Sequence, residues 1–170
     1  MTMSWADTIR ELMGGGGAGT AQAPPVPNPE QTFQQAAQQA PPQVVGSGLA
    51  EAFRSNQTPS FPEMVSTLFS HSNPDQRAGL LSRLMGAAGP AALSGPLAGL
   101  LGTSPGGQVS PQQASQVSPE AVQQVAQHAQ NANPSIVDEI GNFYSQHPQV
   151  VTALGGLALS IAIQHMVRRS

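Results

Sequence analysis

The chain has 170 residues, of which 9% are charged and 4% aromatic, and its formal net charge is −3. The six basic residues are all Arg and form no basic face, so nucleic-acid binding is not expected. The absence of Cys excludes disulfides and Cys-ligated metal centres. Clustered Gly and Pro favour short helices separated by linkers, and we predict an all-α, partly disordered protein.

The N-terminal segment, residues 1–13, is predicted to form an amphipathic helix. Trp5, Ile9 and Leu12 fall on one helical face, with Asp7 and Glu11 elsewhere. The acidic residues interrupt any continuous apolar stretch, so a signal peptide is not expected. We therefore expect a cytoplasmic protein, with peripheral contact at the inner face of the cell membrane as an alternative.

The next segments alternate between linkers and helical modules. Four consecutive Gly and a Pro-rich stretch indicate a flexible linker over 14–43, with a weak Gln/Ala helix at 29–40. A small helical module is expected over 44–102, a linker over 103–117, and a C-terminal helical module over 118–170. Apolar residues at helical spacing predict helices at 44–55, 61–71, 74–86, 119–131 and 134–146, and a short helix near 90–101 is also expected.

Several of these helices have the same kind of starting sequence. An Asn or Ser that can cap the helix precedes a Pro, which is tolerated at the first helical position because it has no N–H to leave unpaired. The dipeptides are Asn28-Pro29, Asn73-Pro74, Ser110-Pro111, Ser118-Pro119 and Asn133-Pro134. Ser60 and Glu63 add capping-box spacing. These signals predict helix boundaries and carry no function.

No residue pattern typical of an active site is present. The four His residues lack the i, i+4 spacing of a metal-binding helix. Asp138 and Glu139 are adjacent and point about 100° apart on a helix, so they do not converge on one substrate atom. The chain has no Lys for a phosphate loop or a Schiff base. We predict no catalytic, metal or cofactor site, no cofactor, and a non-enzymatic protein.

The last segment, from about Pro148 to Val167, is predicted as one apolar helix. Thr152, Gly156, Ser160 and Gln164 recur every four residues, and small residues on such a ridge let another backbone approach closely. A helix that is apolar nearly all round must be buried. Three coverings remain open: the helices 119–131 and 134–146, another subunit, or a membrane.

The apolar last helix is the basis for a hypothesis about function. We expect a scaffold or tether whose C-terminal helices self-associate or dock onto a larger protein assembly. The alternative is a membrane-associating accessory subunit, a stalk that holds a larger enzyme complex, such as a redox complex, near the bilayer. The candidate interaction residues are Leu154, Gly156, Leu157, Ser160, Ile161, Gln164, Trp5, Ile9 and Leu12.

Several short motifs resemble a group of small, uncharacterised bacterial helical proteins. They lie in the segments Gln108–Glu120 and Asn133–Asp138, followed by Phe143-Tyr144, His147-Pro148 and Leu154–Gly156, together with Leu49–Leu84. The resemblance covers about two thirds of the chain. It implies a bacterial, intracellular helical protein and implies no activity.

Overall fold

The computed structural model describes residues 28–89 and 108–169, and within these ranges the secondary structure is helical, with no strand. The predicted all-α class is therefore confirmed. The helices are α1 (Pro29–Gln39), α2 (Pro42–Arg54), α3 (Phe61–His71), α4 (Pro74–Ala88), α5 (Pro111–Ser115), α6 (Pro119–Ala132), α7 (Ile136–Ser145), α8 (Pro148–Val151) and α9 (Gly156–Arg168). The prediction of a helix near 90–101 lies outside the described residues.

Most helices start where the capping signals place them. At α4, Asn73 Oδ1 accepts from the Gln76 N–H at 2.8 Å, and Gln76 Oε1 accepts from the Asn73 N–H at 3.0 Å. Ser60 and Glu63 form the same reciprocal cap at α3, and the hydrogen bonds from Ser60 hold the pKa of the Glu63 carboxyl below its usual value. The first turns of these helices thus find partners for N–H groups that the helix leaves unpaired.

Two segments predicted as linkers contain packed helices. The weak helix predicted at 29–40 within the first linker is present as α1 (Pro29–Gln39), on which Phe33 and Ala36 are buried. In the predicted 103–117 linker, α5 buries Ala114 between Val109 and Val117, which are buried as well. The sequence predicts only a weak helix at 29–40 and no helix within 103–117. Burial of a few apolar side chains decides otherwise, because tertiary packing supplies most helix stability.

The described helices share one hydrophobic core. Helix α2 lies at its centre and packs most extensively against α7 and α9, while α3 and α4 pack on α6. The helices of the predicted 44–102 and 118–170 modules therefore interleave. Helix α9 is covered by α1 and α2, and not by the helices 119–131 and 134–146, which are one of the three coverings that the sequence leaves open.

Glycines allow the central helix to approach both neighbours closely. A Cβ atom on Gly141 of α7 would lie 2.5 Å from the carbonyl oxygen of Gly46 on α2. On the other side of α2, a Cβ on Gly48 would lie 2.7 Å from the Ala162 carbonyl oxygen on α9. Backbone-to-backbone approach of this kind explains how α2 fits between two helices.

The predicted continuous helix from Pro148 to Val167 is wrong, because the chain breaks at Gly155. After α8 comes a single 3-10 turn, Thr152–Leu154, and then Gly155 with φ 89° and ψ 167°. This backbone conformation is essentially restricted to glycine, since a Cβ would clash. Helix α9 begins only at Gly156. The small-residue ridge is thereby shortened, and Thr152 no longer belongs to it.

Polar side chains link helices that are distant in sequence. Arg54 at the end of α2 donates to both carboxylate oxygens of Asp138 on α7, at 3.1 and 2.7 Å. Tyr144 is buried, and its hydroxyl donates to Ser72 Oγ at 3.0 Å, since Ser72 in turn donates to the Leu68 carbonyl. These bonds fix the register between the halves of the fold.

Candidate interaction surface on the last helix

Helix α9 has two faces of different character. Its inner face is fully apolar and buried, and consists of Ala158, Leu159, Ala162, Ile163 and Met166. The spacing i, i+1, i+4, i+5, i+8 is that of one helical stripe, and it packs against α1 and α2. This face accounts for the apolar composition of the segment without a membrane or a second subunit.

The opposite side, which we call the α9 outer face, consists of Leu157, Ser160, Ile161, Gln164 and Arg168. Leu157 is 56% exposed, and among the large hydrophobic residues in the described part of the chain it is the one that is exposed. Ile161, one turn further, is partly buried against the rim of the core, as is Leu154 just before the helix. The spacing of these residues places Leu157 and Ile161 side by side.

The polar members of the outer face have modest roles within the fold. Ser160 Oγ donates to the Gly156 carbonyl at 2.7 Å, which is a bond within its own helix. Gln164 is partly exposed, and Arg168 is exposed at the C-terminal end with Arg169. The outer face therefore runs from an apolar first turn to a basic last turn.

The structure brings four of the predicted residues onto this face, namely Leu157, Ser160, Ile161 and Gln164. Gly156 points elsewhere, because a Cβ on it would lie 3.0 Å from Cγ of Pro29 at the start of α1. A large side chain at Gly156 would disturb the α1–α9 contact, so that position does not probe assembly cleanly. Trp5, Ile9 and Leu12 lie outside the described residues.

Sequence reasoning missed α1 as the neighbour of α9. The available signal was Phe33, a single large apolar residue in a Gln/Ala segment, which is buried completely. A lone aromatic residue does not establish a helical stripe, and the choice of partner depends on tertiary geometry.

Two polar clefts open on other parts of the surface. One, of about 450 Å³, lies between the start of α4 and the turn before α9, and is lined by His71, Asn73, Gln76, Gln149, Val150, Thr152 and Ala153. Beside it, the Gln76 amide nitrogen lies 3.0 Å from Nδ1 of His147, within hydrogen-bond distance. No carboxylate lines this cleft.

The second cleft, of about 390 Å³, contains an aromatic–cation stack. The guanidinium carbon of Arg83 lies 4.7 Å from the centre of the Phe143 ring, with Glu139, Asn142 and Gln146 around it. Phe143 also makes edge contacts with Tyr144 and His147. The stack holds α4 against α7, which gives the cluster a packing role.

The described ranges contain neither a cluster of metal-ligating side chains nor a membrane-spanning helix. Over residues 28–89 and 108–169, no three His, Asp or Glu side chains converge as a metal site would require. No helix in the same ranges combines the length and apolar character needed to cross a bilayer. Comparison with known proteins found no matching family model, curated protein or solved structure.

Proposed function

We propose that this protein is a non-enzymatic scaffold or tether that binds a protein partner, a second copy or a larger assembly, through the α9 outer face. The observation that carries the proposal is the exposure of Leu157, 56% of whose surface faces solvent next to Ile161. Isolated exposed apolar residues are common and need no explanation. Here the residue adjoins further apolar surface, on a helix whose other side is fixed in the core.

The rigidity of this helix supports the proposal. Its inner face is buried against α1 and α2. The backbones of α2 and α9 are in close contact at Gly48 and Ala162, which holds α9 in place. Because the backbone of this face is already ordered in the free protein, binding a partner costs less conformational entropy.

The test is a charge placed at the centre of the surface. Leu157→Glu should weaken association by about tenfold or more, since an apolar contact is lost and a carboxylate is desolvated. Sedimentation velocity over a concentration series of the full chain measures self-association. Affinity capture with wild-type chain as bait identifies other partners.

Gln127→Glu is the matched control, because it adds the same charge at an exposed position on α6, away from α9. The proposal is contradicted if the wild-type chain stays monomeric at all concentrations and captures no partner. It is also contradicted by an unchanged association in the Leu157→Glu variant.

A membrane surface is the second candidate, favoured by one feature of the same face. Apolar Leu157 and Ile161 are followed by exposed Arg168 and Arg169, a distribution typical of helices that lie on anionic lipid. Vesicle flotation distinguishes the two candidates. Binding to anionic vesicles that is lost in Leu157→Glu favours this role of an accessory subunit at the membrane, and the absence of flotation excludes it.

A further inference from the structure

We propose that the N-terminal segment Trp5–Met13 of the same chain occupies the α9 outer face when no partner is bound, so that it acts as an internal competitor. The proposal rests on the function proposed above, and it adds the resting occupant of that surface. The occupant is argued from three observations: where the chain enters the fold, how far the preceding chain reaches, and the apolar spacing of the segment.

The first observation is the point of entry. Pro29, the first residue of α1, lies against Gly156, the first residue of α9, with the ring carbon 3.0 Å from where a Cβ would stand. Leu157 is the next residue of α9. The chain that precedes α1 therefore joins the fold at the apolar end of the outer face, rather than on the far side of the molecule.

The second observation is reach. The stretch 14–28 supplies 15 residues, Gly-rich up to Gly19 and Pro-rich from Pro24. A flexible chain of that length has a root-mean-square span of about 20 Å, and prolines lengthen it. The outer face from Leu157 to Arg168 is about 16 Å long, from the helical rise per residue. The tether thus matches the surface, and a match of this kind gives an effective concentration in the millimolar range. Even a weak contact is then substantially occupied.

The third observation is chemical complementarity. Trp5, Ile9 and Leu12 have the i, i+4, i+7 spacing that seats one apolar helix face on another. They would cover Leu157 and Ile161. Asp7 and Glu11 each follow Trp5 and Ile9 by two residues, so on such a helix they fall on the opposite side and leave the contact itself apolar.

The experiment uses Trp5, which is the single Trp of the chain. Its fluorescence therefore reports on this segment alone. In the full-length wild type, we expect blue-shifted emission and restricted quenching by acrylamide, at protein concentrations where scattering shows a monomer. Leu157→Glu should shift the emission to the red and raise the quenching constant by about twofold or more, since a covered indole becomes exposed. Gln127→Glu should leave both unchanged.

Three results overturn the proposal. One is Trp5 fluorescence that acrylamide quenches freely in the wild type, or whose emission and quenching do not change in Leu157→Glu. Another is protection that disappears on dilution, which assigns the surface to a second copy. The third is protection that appears only when phosphatidylglycerol vesicles are added, which assigns Trp5 to a lipid surface.

Partner binding separates this proposal from the function it builds on. Deletion of residues 1–13 should strengthen self-association or partner capture severalfold, because a competitor is removed. If association depends on Leu157 but is unaffected by the deletion, the function stands and the internal competitor is wrong. If Trp5 responds to Leu157→Glu while no association is found, the internal contact stands and the proposed function is wrong.

Discussion

At the scale of single residues, the fold depends on a few side chains whose surroundings are unusual. Tyr144 is buried, and its hydroxyl has Ser72 as a neutral partner. Burial raises the pKa of this hydroxyl well above its ordinary value, although the Ser72 hydrogen bond and the charge of Arg77 act in the opposite direction. The desolvation effect prevails because a buried phenolate would lose its water and gain no full counter-charge.

This residue makes stability depend on pH in the alkaline range. In the unfolded chain Tyr144 ionises near pH 10, whereas in the folded chain it stays protonated. The contribution of Tyr144 to the free energy of unfolding is therefore fully present below pH 10. It decreases by about 1.4 kcal/mol per pH unit as the pH rises from 10 towards the folded-state pKa. Urea unfolding between pH 8 and 11.5 should show this loss.

The Tyr144→Phe variant provides the control for that titration. Because the chain has no Lys and no Cys, and Tyr144 is its single Tyr, few other groups titrate in this window. The variant should be about 1 kcal/mol less stable at pH 8, since one hydrogen bond is lost, and should be nearly flat up to pH 11.5. An equal alkaline slope in both proteins would contradict the assignment.

At the scale of elements, the crossings of α2 with α7 and with α9 depend on glycines at the points of closest approach. Helix α2 carries Gly46 towards α7 and Gly48 towards α9, and α7 presents Gly141 in return. A helix gives up about 1 kcal/mol of propensity for each interior glycine relative to alanine. The crossings recover this cost because the helices approach to backbone contact and bury more of their neighbouring side chains.

Alanine substitution tests this reasoning at two helical glycines with opposite surroundings. Gly141→Ala should lower the free energy of unfolding by about 1–3 kcal/mol, because its Cβ meets the Gly46 carbonyl. Gly86→Ala on α4 has open space around the new Cβ and should raise it by about 0.5–1 kcal/mol. Urea denaturation followed by circular dichroism measures both. The same sign at the two positions would refute a crossing limited by backbone contact.

At the scale of the whole molecule, the C-terminal helices complete a core that starts in the N-terminal half. Helix α9 buries Leu159 and Ile163 in the same cluster that holds Phe33 of α1 and Leu49 of α2. Neither half has a closed core of its own. The last helix is therefore part of the folding unit, and only its outer face is available to bind another molecule or segment.

Truncation should show this dependence directly. A chain that ends at Gln146 loses α9 and uncovers α1 and α2, so we expect loss of cooperative unfolding and of dispersed amide NMR signals. The full-length Leu157→Glu variant is the control, since it changes the same helix at an exposed position and should unfold cooperatively. A cooperative transition in the truncated chain would show that α1–α7 fold without α8 and α9.

The sequence by itself determined the local features of this protein. Capping residues and prolines located the helix starts at Asn73-Pro74 and Ser118-Pro119, because these signals act within one helical turn. Spacing within α9 also selected Leu157 and Ile161 as candidates. The tertiary structure alone decided which helices meet, that Gly155 breaks the last helix, and that α1 covers the inner face of α9 and leaves Leu157 outside. Those outcomes depend on contacts between residues far apart in sequence, and a glycine or a Gln/Ala segment carries little information about its distant neighbours.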